Sequence, residues 1–217
     1  GEKVVSELLS SGLTIKLIAA LPEYLSTMKP QSTIGEIHEI TTEELSKISL
    51  LNSPNLVLAV AETPQPLQIN FEQLSGTVLM LDGIRDPGNL GTIIRTADWF
   101  GVEAIVCSSD CVDCYNPKVV QSAMGSLFRK PILYGSLKDF IIELKIKGGY
   151  FVIGASLEGT PGFPAKADSK KVLVIGSESH GLSPEVLQHV DYKITISRAG
   201  NSSAESLNAA VACGVLL

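Results

Sequence analysis

The chain has 217 residues, a formal charge of −6 at pH 7 and an apolar content of 45%, enough for one large domain or two modest ones with real cores. Residues 1–66 carry four lysines against eight acidic residues, and 67–217 carry thirteen basic against fifteen acidic residues, so neither half is a basic arm and any nucleic-acid contact would have to use a local patch. No apolar run reaches the roughly eighteen residues of a membrane span, and Gly1-Glu2-Lys3 opens a mixed segment, not a signal peptide; no membrane partner and a cytoplasmic location are therefore expected.

Val4–Ser11 sets Val4, Val5, Leu8 and Leu9 on one helical face before Gly12. Ile15–Ala20 and Ile37–Ile40 read as strands, Thr42–Ser49 as a helix capped by Thr42, and Val57–Ala61 as an apolar strand. Residues 1–62 thus read as a small α/β module, and 63–75, with Thr63-Pro-Gln-Pro66, as a linker. From 76 to 217 the pattern alternates steadily. Strands are expected at Val78–Leu81, Ala104–Cys107, Tyr150–Ala155, Lys171–Ile175 and Tyr192–Ile196, with helices near 90–100, 117–129, 137–147, 184–189 and 205–217. Short apolar strands separated by helices imply a parallel sheet covered on both faces. Cys111 and Cys114 form a C-x-x-C pair with no second pair or histidine cluster, so ordinary reduced thiols and no metal are expected.

Three stretches carry a strand into a turn and then a helix. The first runs from Leu81 to Gly101. It has Asn89 at the expected helix start and Arg95 six residues on, nearly two turns later and near the same side. Helix N-termini in open α/β sheets lie at the strand carboxyl edge, where ligands bind, although a capping asparagine and a surface arginine account for the same residues. There is neither a Gly-Lys-Ser/Thr nor a G-x-G-x-x-G, which disfavours nucleotide P-loops and dinucleotide sites. The second is Val172–Glu185, where Gly176 and Gly181 bracket Glu178 and permit a ligand close to the backbone. His180 reads either as a base or as an exposed turn histidine, and Ser183-Pro184 as a cap and first helical residue. The third, Ile194–Gly214, passes through a small-residue loop to Ser206-Leu207-Asn208, the expected opening of an apolar helix.

Asp82–Gly101, Gly176–Leu182 and Ile194–Ala212, in this order and spacing, resemble the three motifs of the SpoU/TrmH methyltransferases of the SPOUT superfamily. The resemblance covers about two-thirds of the chain, residues 76–217. It implies a C-terminal α/β knot, a deep trefoil around a parallel sheet, together with S-adenosylmethionine as cofactor and a homodimer. The activity implied is transfer of a methyl group to an RNA ribose 2′-hydroxyl. Residues 1–62 are similar to the ribosomal-protein-like substrate-binding domain of rRNA-modifying members, with leading basic residues expected to be missing; rRNA is therefore preferred over tRNA. By position, Ala155, Ser156, Gly176, Ile196 and Leu207 would hold the cofactor. Arg95, Asn89, Glu178, Ser206 and Asn208 would serve catalysis. Arg95 would act on RNA phosphate or developing charge, since arginine stays protonated and is a poor base. Asn89 would orient it, Glu178 would order its motif or place RNA, and Ser206 and Asn208 would shape the loop beside the methyl group. The family's Ile-Pro-Met-x-Gly is here Ile196-Ser-Arg-Ala-Gly200, in a loop about two residues long by comparison. This frees the backbone at 197 and leaves Arg198 for an RNA or dimer contact. The competing readings are a tRNA methyltransferase, a catalytically silent RNA-binding or assembly factor on the same scaffold, and a small-molecule enzyme of Rossmann type.

Overall fold

The structure, a computed structural model, describes residues 1–29, 34–51, 53–65, 69–167, 170–201 and 203–217. Two compact units divide the chain, Gly1–Gln65 and Pro66–Leu217.

The first unit runs α1 (Glu2–Leu9), β1 (Ile15–Ala20), α2 (Pro22–Leu25), β2 (Ile34–Glu39), α3 (Thr42–Ile48) and β3 (Val57–Ala61). Its sheet has the order β2-β1-β3, with β1 parallel to β2 and antiparallel to β3. Val5 and Leu8 of α1, Ile15 and Ile18 of β1 and Leu45 of α3 are buried. The cap of α3 is Thr41 and not the expected Thr42: the Thr41 hydroxyl accepts from the Glu44 backbone while the Glu44 carboxylate accepts from the Thr41 backbone. This reciprocal box requires glutamate three residues after the cap, a spacing that Thr41 meets and Thr42 does not.

The second unit runs β4 (Thr77–Asp82), α4 (Pro87–Trp99), β5 (Ala104–Cys107), α5 (Pro117–Ala123), β6 (Ile132–Tyr134), α6 (Leu137–Glu143), β7 (Phe151–Pro161), β8 (Lys171–Gly176), α7 (Pro184–Leu187), β9 (Tyr192–Thr195) and α8 (Ala209–Leu216). All the pairings in its sheet, ordered β6-β5-β4-β8-β7-β9, are parallel. The apolar strands alternate between two cores. Leu79, Leu81, Leu173 and Ile175 join α4, α5 and α8 on one face, while Val78, Met80, Val172 and Val174 join α6 and α7 on the other. Burial of both faces is why these strands read as unbroken apolar runs.

Several boundaries differ from the sequence reading. Helix α4 begins at Pro87 behind an Asp86 cap, two residues before Asn89. Helix α8 begins only at Ala209, because the Asn208 side chain accepts from Ala210 and Val211 and so closes the helix there. Of the 63–75 stretch, 66–68 lie outside the described residues. Phe71 is buried and meets the Phe140 ring edge-on at 5.8 Å, so this part of the stretch packs into the second core.

Tyr150 is buried in that core, and its hydroxyl has no hydrogen-bond partner among the described residues; burial pushes its pKa up to about 12. An unpaired buried hydroxyl costs about 1–3 kcal/mol, whereas phenylalanine keeps the ring and its contacts. Tyr150→Phe is therefore expected to stabilise the protein by about 1 kcal/mol, a rise of roughly 2–4 °C in a thermal melt at this size. An unchanged or lower midpoint would show that the hydroxyl finds a partner in solution.

Candidate active site

The carboxyl ends of β4 and β8 lie side by side, with Asp82 paired to Gly176. Beyond β4 the chain turns through Gly83, at φ +71°, and is held from beneath by the loop after β5. The Gly83 N–H donates to Ser108 Oγ at 2.9 Å and the Ile84 N–H to Cys111 Sγ at 3.2 Å. Ser108 Oγ also donates to Asp110 Oδ1 at 2.6 Å, and Arg85 Nη2 to Asp110 Oδ2 at 2.8 Å. These two partners, the hydroxyl first, hold the Asp110 carboxyl below the ordinary range. A hydrogen bond with Cys107 is the main cause that brings the Cys111 thiol down to about 7. All four cysteines are free, and among the described residues no group of three or more His, Cys, Asp or Glu could hold a metal ion.

Asp86 then caps α4, its Oδ1 accepting from the Asn89 N–H at 2.8 Å, with Pro87 at the first helical position, where its missing N–H costs nothing. Asp82 is buried and accepts from the Ser183 N–H at 2.7 Å, tying the end of β4 to the start of α7. Ser183 caps α7 as expected, accepting from Val186. Neither aspartate was singled out from the sequence. The usable signals are Asp-Pro at a helix start and a carboxylate ending an apolar strand.

The turn after β8 closes on itself. Ser177 and Gly181 exchange both backbone hydrogen bonds, at 3.2 and 2.9 Å. A Cβ at Gly176 would run into the Gly181 carbonyl and the Leu182 nitrogen. The lack of a Cβ at Gly176 thus lets the chain approach itself closely. Out of this turn rises Glu178, and one of its oxygens collects three donors: Oε1 accepts from Asn89 Nδ2 at 3.0 Å, Asn208 Nδ2 at 2.7 Å and the Ala209 N–H at 3.0 Å. Asn208 Nδ2 also reaches Asn89 Oδ1 at 2.8 Å. The three motifs therefore meet in one side-chain cluster.

Beside this cluster lies a cavity of about 470 Å³ walled by the β8–α7 turn, by β9 and the loop after it, by α8 and by a bulge in β7, within the roughly 300–1,000 Å³ of small-molecule sites. The bulge is where Ala155 and Thr160 both pair with Ile194, so that 156–159 leave the ladder. Gly159 permits it, since a Cβ there would strike the Ile194 backbone. Ala155, Ser156, Gly176, Ile196 and Leu207 all line this cavity, as do Glu178 and Ser206. Apolar Ile175, Ile194, Leu207, Ala212 and Leu216 face main-chain and carboxylate groups across it, a lining that suits a ligand with a flat ring and a charged end. A second cavity, of about 580 Å³, shares the Ser177–Gly181 turn and Ala209 with the first and is otherwise walled by Asp82–Asp86, Asn89, Asp110 and Ser183. His180 is exposed on the shared turn, its Nδ1 2.7 Å from Ser179 Oγ.

Arg95 is not brought to this place. It is exposed on α4, lines neither cavity, and has no hydrogen bond or ion pair among the described residues. Six residues of α-helix rotate a side chain by about 600°, so Asn89 and Arg95 lie on different faces, contrary to the expectation of a common side. Arg198 donates to the Ala204 carbonyl at 3.0 Å, bracing its own loop; Ser202 in that loop lies outside the described residues.

The model of the SpoU rRNA Methylase family matches residues 76–217. The 23S rRNA (guanosine(2553)-2′-O)-methyltransferase RlmP of Bacillus subtilis is 32% identical, over all of this chain and 85% of its own length. Among solved structures, an AdoMet-bound rRNA methyltransferase from Sinorhizobium meliloti superposes with a TM-score of 0.85 at 30% identity, covering all of this chain and 82% of the other. The SpoU methyltransferase AviRb from Streptomyces viridochromogenes, in complex with AdoMet, gives 0.80 at 26% identity, covering 100% and 85%.

Proposed function

The chain belongs to the SpoU rRNA methylase family, and from this premise we propose that it methylates a ribose 2′-hydroxyl of large-subunit rRNA at the junction of the two cavities. The observation that carries the reading is the cluster of Asn89, Glu178 and Asn208, one residue from each motif, on the wall of a cavity of cofactor size. S-adenosylmethionine, the cofactor, supplies a methyl group made electrophilic by its sulfonium. Ala155, Ser156, Gly176, Ile196 and Leu207, which line the cavity, would hold it through apolar side chains and main-chain groups.

The chain's own part in the reaction is positioning. Glu178 Oε1 is saturated by three donors, which leaves Oε2 to accept from the 2′-hydroxyl and fix its lone pair toward the methyl group. Fixing a nucleophile in an attack geometry removes much of the entropic part of a barrier. Asn89 and Asn208 keep the carboxylate still, and Ser206 closes the adjoining wall. Arg95 acts from outside, holding an RNA phosphate on the exposed face of α4.

That face also carries apolar surface. Trp99 is 85% exposed, and Phe100, Val211 and Val215 are exposed on α4 and the neighbouring α8. Exposed apolar groups so close together support a homodimer through these helices, with RNA crossing the seam beside Arg95. The C-terminal segment carrying α8 packs on α4 at Gly214 and Thr96, an arrangement that fits a trefoil knot threaded by this segment. The unit 1–65 serves as the RNA-recognition domain. Among the described residues no helix is long and apolar enough to cross a membrane, in keeping with a cytoplasmic enzyme.

The test is calorimetry with S-adenosylhomocysteine, followed by incubation of unmodified rRNA and tRNA with labelled cofactor and mapping of the product. Absence of cofactor binding, or label on a base, overturns the reading. Arg95→Ala is expected to lower transfer by about a hundredfold, the effect of removing one charge-stabilising group, with S-adenosylhomocysteine affinity unchanged. Weakened affinity in a folded variant would move Arg95 from the RNA to the cleft.

A further inference from the structure

Three of the four free cysteines lie together beneath the turn that opens α4, and methyl transfer makes no use of them. Cys107 ends β5, and Cys111 and Cys114 follow in the next loop. Strand pairing sets Cys107 opposite Leu81, and the Cys111 thiol lies on that Leu81 carbonyl at 3.3 Å. The C-x-x-C spacing nominates Cys114 as the partner of Cys111. The fold gives Cys111 another neighbour: its thiol and that of Cys107 are hydrogen-bonded to each other, while Cys114 shares a hydrogen bond with Tyr134.

The paired thiols differ as a reactive and a resolving cysteine do. Cys111 is 9% exposed and Cys107 not at all, so a small oxidant meets Cys111 first. The Cys111 sulfur accepts from Cys107 and, at 3.2 Å, from the Ile84 N–H, and donors around a sulfur favour its thiolate. Led by the Cys107 contact, they bring the Cys111 thiol to about 7. The same contact, with burial, holds Cys107 well above the ordinary thiol range, and burial pushes Cys114 up to about 11. At neutral pH Cys111 is the nucleophile of the three.

The same sulfur supports the site. Ile84 is buried, and its N–H finds its acceptor there. Two residues on, Asp86 caps α4 on the Asn89 N–H, and Asn89 donates to Glu178. Bonded to Cys107, the sulfur would lose its charge and be drawn to β5, and a buried N–H that loses its acceptor destabilises the backbone that carries it.

We propose that a hydroperoxide oxidises Cys107 and Cys111 to a reversible disulfide, and that this bond loosens the turn leading to Asn89 and slows methyl transfer. The Cys111 thiolate attacks one peroxide oxygen; the O–O bond breaks, water leaves after taking up a proton, and a sulfenic acid remains. The Cys107 sulfur then attacks the Cys111 sulfur, and the displaced hydroxide leaves as water with the Cys107 proton. Two thiols thus give up two electrons and two protons to one peroxide, which becomes two waters. The slowing of transfer rests on the methyl-transfer reading; the disulfide does not.

The 217-residue chain is treated with hydrogen peroxide, unfolded, alkylated, digested and mapped by mass spectrometry. Samples taken before unfolding are assayed for S-adenosylhomocysteine binding and for transfer to unmodified rRNA and tRNA. The expected bridge joins Cys107 to Cys111, with Cys114 and Cys213 alkylated. Transfer should fall about tenfold or more and return with dithiothreitol. S-adenosylhomocysteine affinity should hold, because no residue of 83–86 walls the cofactor cavity. Cys107→Ala should match the reduced parent in transfer and stop at a Cys111 sulfenic acid that dimedone captures, and Cys114→Ser should still form the bridge. A bridge between Cys111 and Cys114, oxidation without a bridge, or a bridged protein as active as the reduced one overturns this proposal and leaves the methyltransferase reading standing. A reduced parent that binds no cofactor, or methylates neither RNA, overturns that reading and the slowing of transfer with it, while the mapped bridge still decides the disulfide.

Discussion

Replacing Glu178 by alanine is expected to lower methyl transfer by about a thousandfold in a protein that still folds. The carboxylate is exposed, so water takes over much of its hydrogen bonding and the loss of stability is small. The loss of geometry is not. Oε1 is the shared partner of Asn89, Asn208 and the Ala209 N–H. Without it Asn89 retains only its 2.8 Å bond to Asn208, whose amide oxygen still accepts from Ala210 and Val211, so the Asn89 side chain is free to swing about that one contact. A displacement of about 1 Å at a reacting centre costs on the order of a hundredfold, and loss of the group facing the 2′-hydroxyl adds about another ten. Glu178→Gln separates the two contributions. Its amide oxygen still collects the three donors while its charge is gone, so a loss of only about tenfold to thirtyfold is expected. Single-turnover transfer to the mapped RNA, alongside S-adenosylhomocysteine calorimetry and circular dichroism, measures both variants. An alanine variant within threefold of the parent would falsify the placement of the hydroxyl on Glu178.

The same cluster marks how far the sequence could be read. Strands β4, β5 and β8 were legible because both their faces are buried, so an apolar run was sufficient signal. The Ser183-Pro184 start of α7 was legible because a cap and a first-turn proline are local chemistry. The meeting of Asn89, Glu178 and Asn208 was not, since they stand 89 and 30 residues apart and no local pattern encodes a side-chain distance; only the resemblance of the motifs implied it. Nor was the β7 bulge legible. Ser156-Leu-Glu-Gly159 has no alternation that marks a strand, and Gly159 is needed only because Ile194 arrives from β9. The expected common side for Asn89 and Arg95 did not hold, because a six-residue step on a helix does not return to the same face.

Gly176→Ala is expected to cost at least a hundredfold in S-adenosylhomocysteine affinity and to lower the melting midpoint by several degrees. The added methyl would meet the Gly181 carbonyl and the Leu182 nitrogen, which are backbone atoms and cannot rotate aside as a side chain does. Overpacking of this kind costs about 1–3 kcal/mol where the surroundings can move. Here relief requires breaking the paired Ser177–Gly181 hydrogen bonds, and the turn that opens is the one that carries Glu178 and walls both cavities. Two other glycines serve as controls. At Gly181 an added Cβ meets nothing within 4 Å, but its φ of +66° is left-handed, so alanine should cost about 1 kcal/mol of backbone strain and spare more of the binding. At Gly200 there is neither a clash nor a positive φ, and alanine should be nearly neutral. The expected order of damage is thus Gly176, then Gly181, then Gly200, read by thermal melts and calorimetry on the same preparations. If Gly176→Ala melts and binds like Gly200→Ala, the turn is not closed on itself in solution. The cofactor wall would then have to be supplied by other residues.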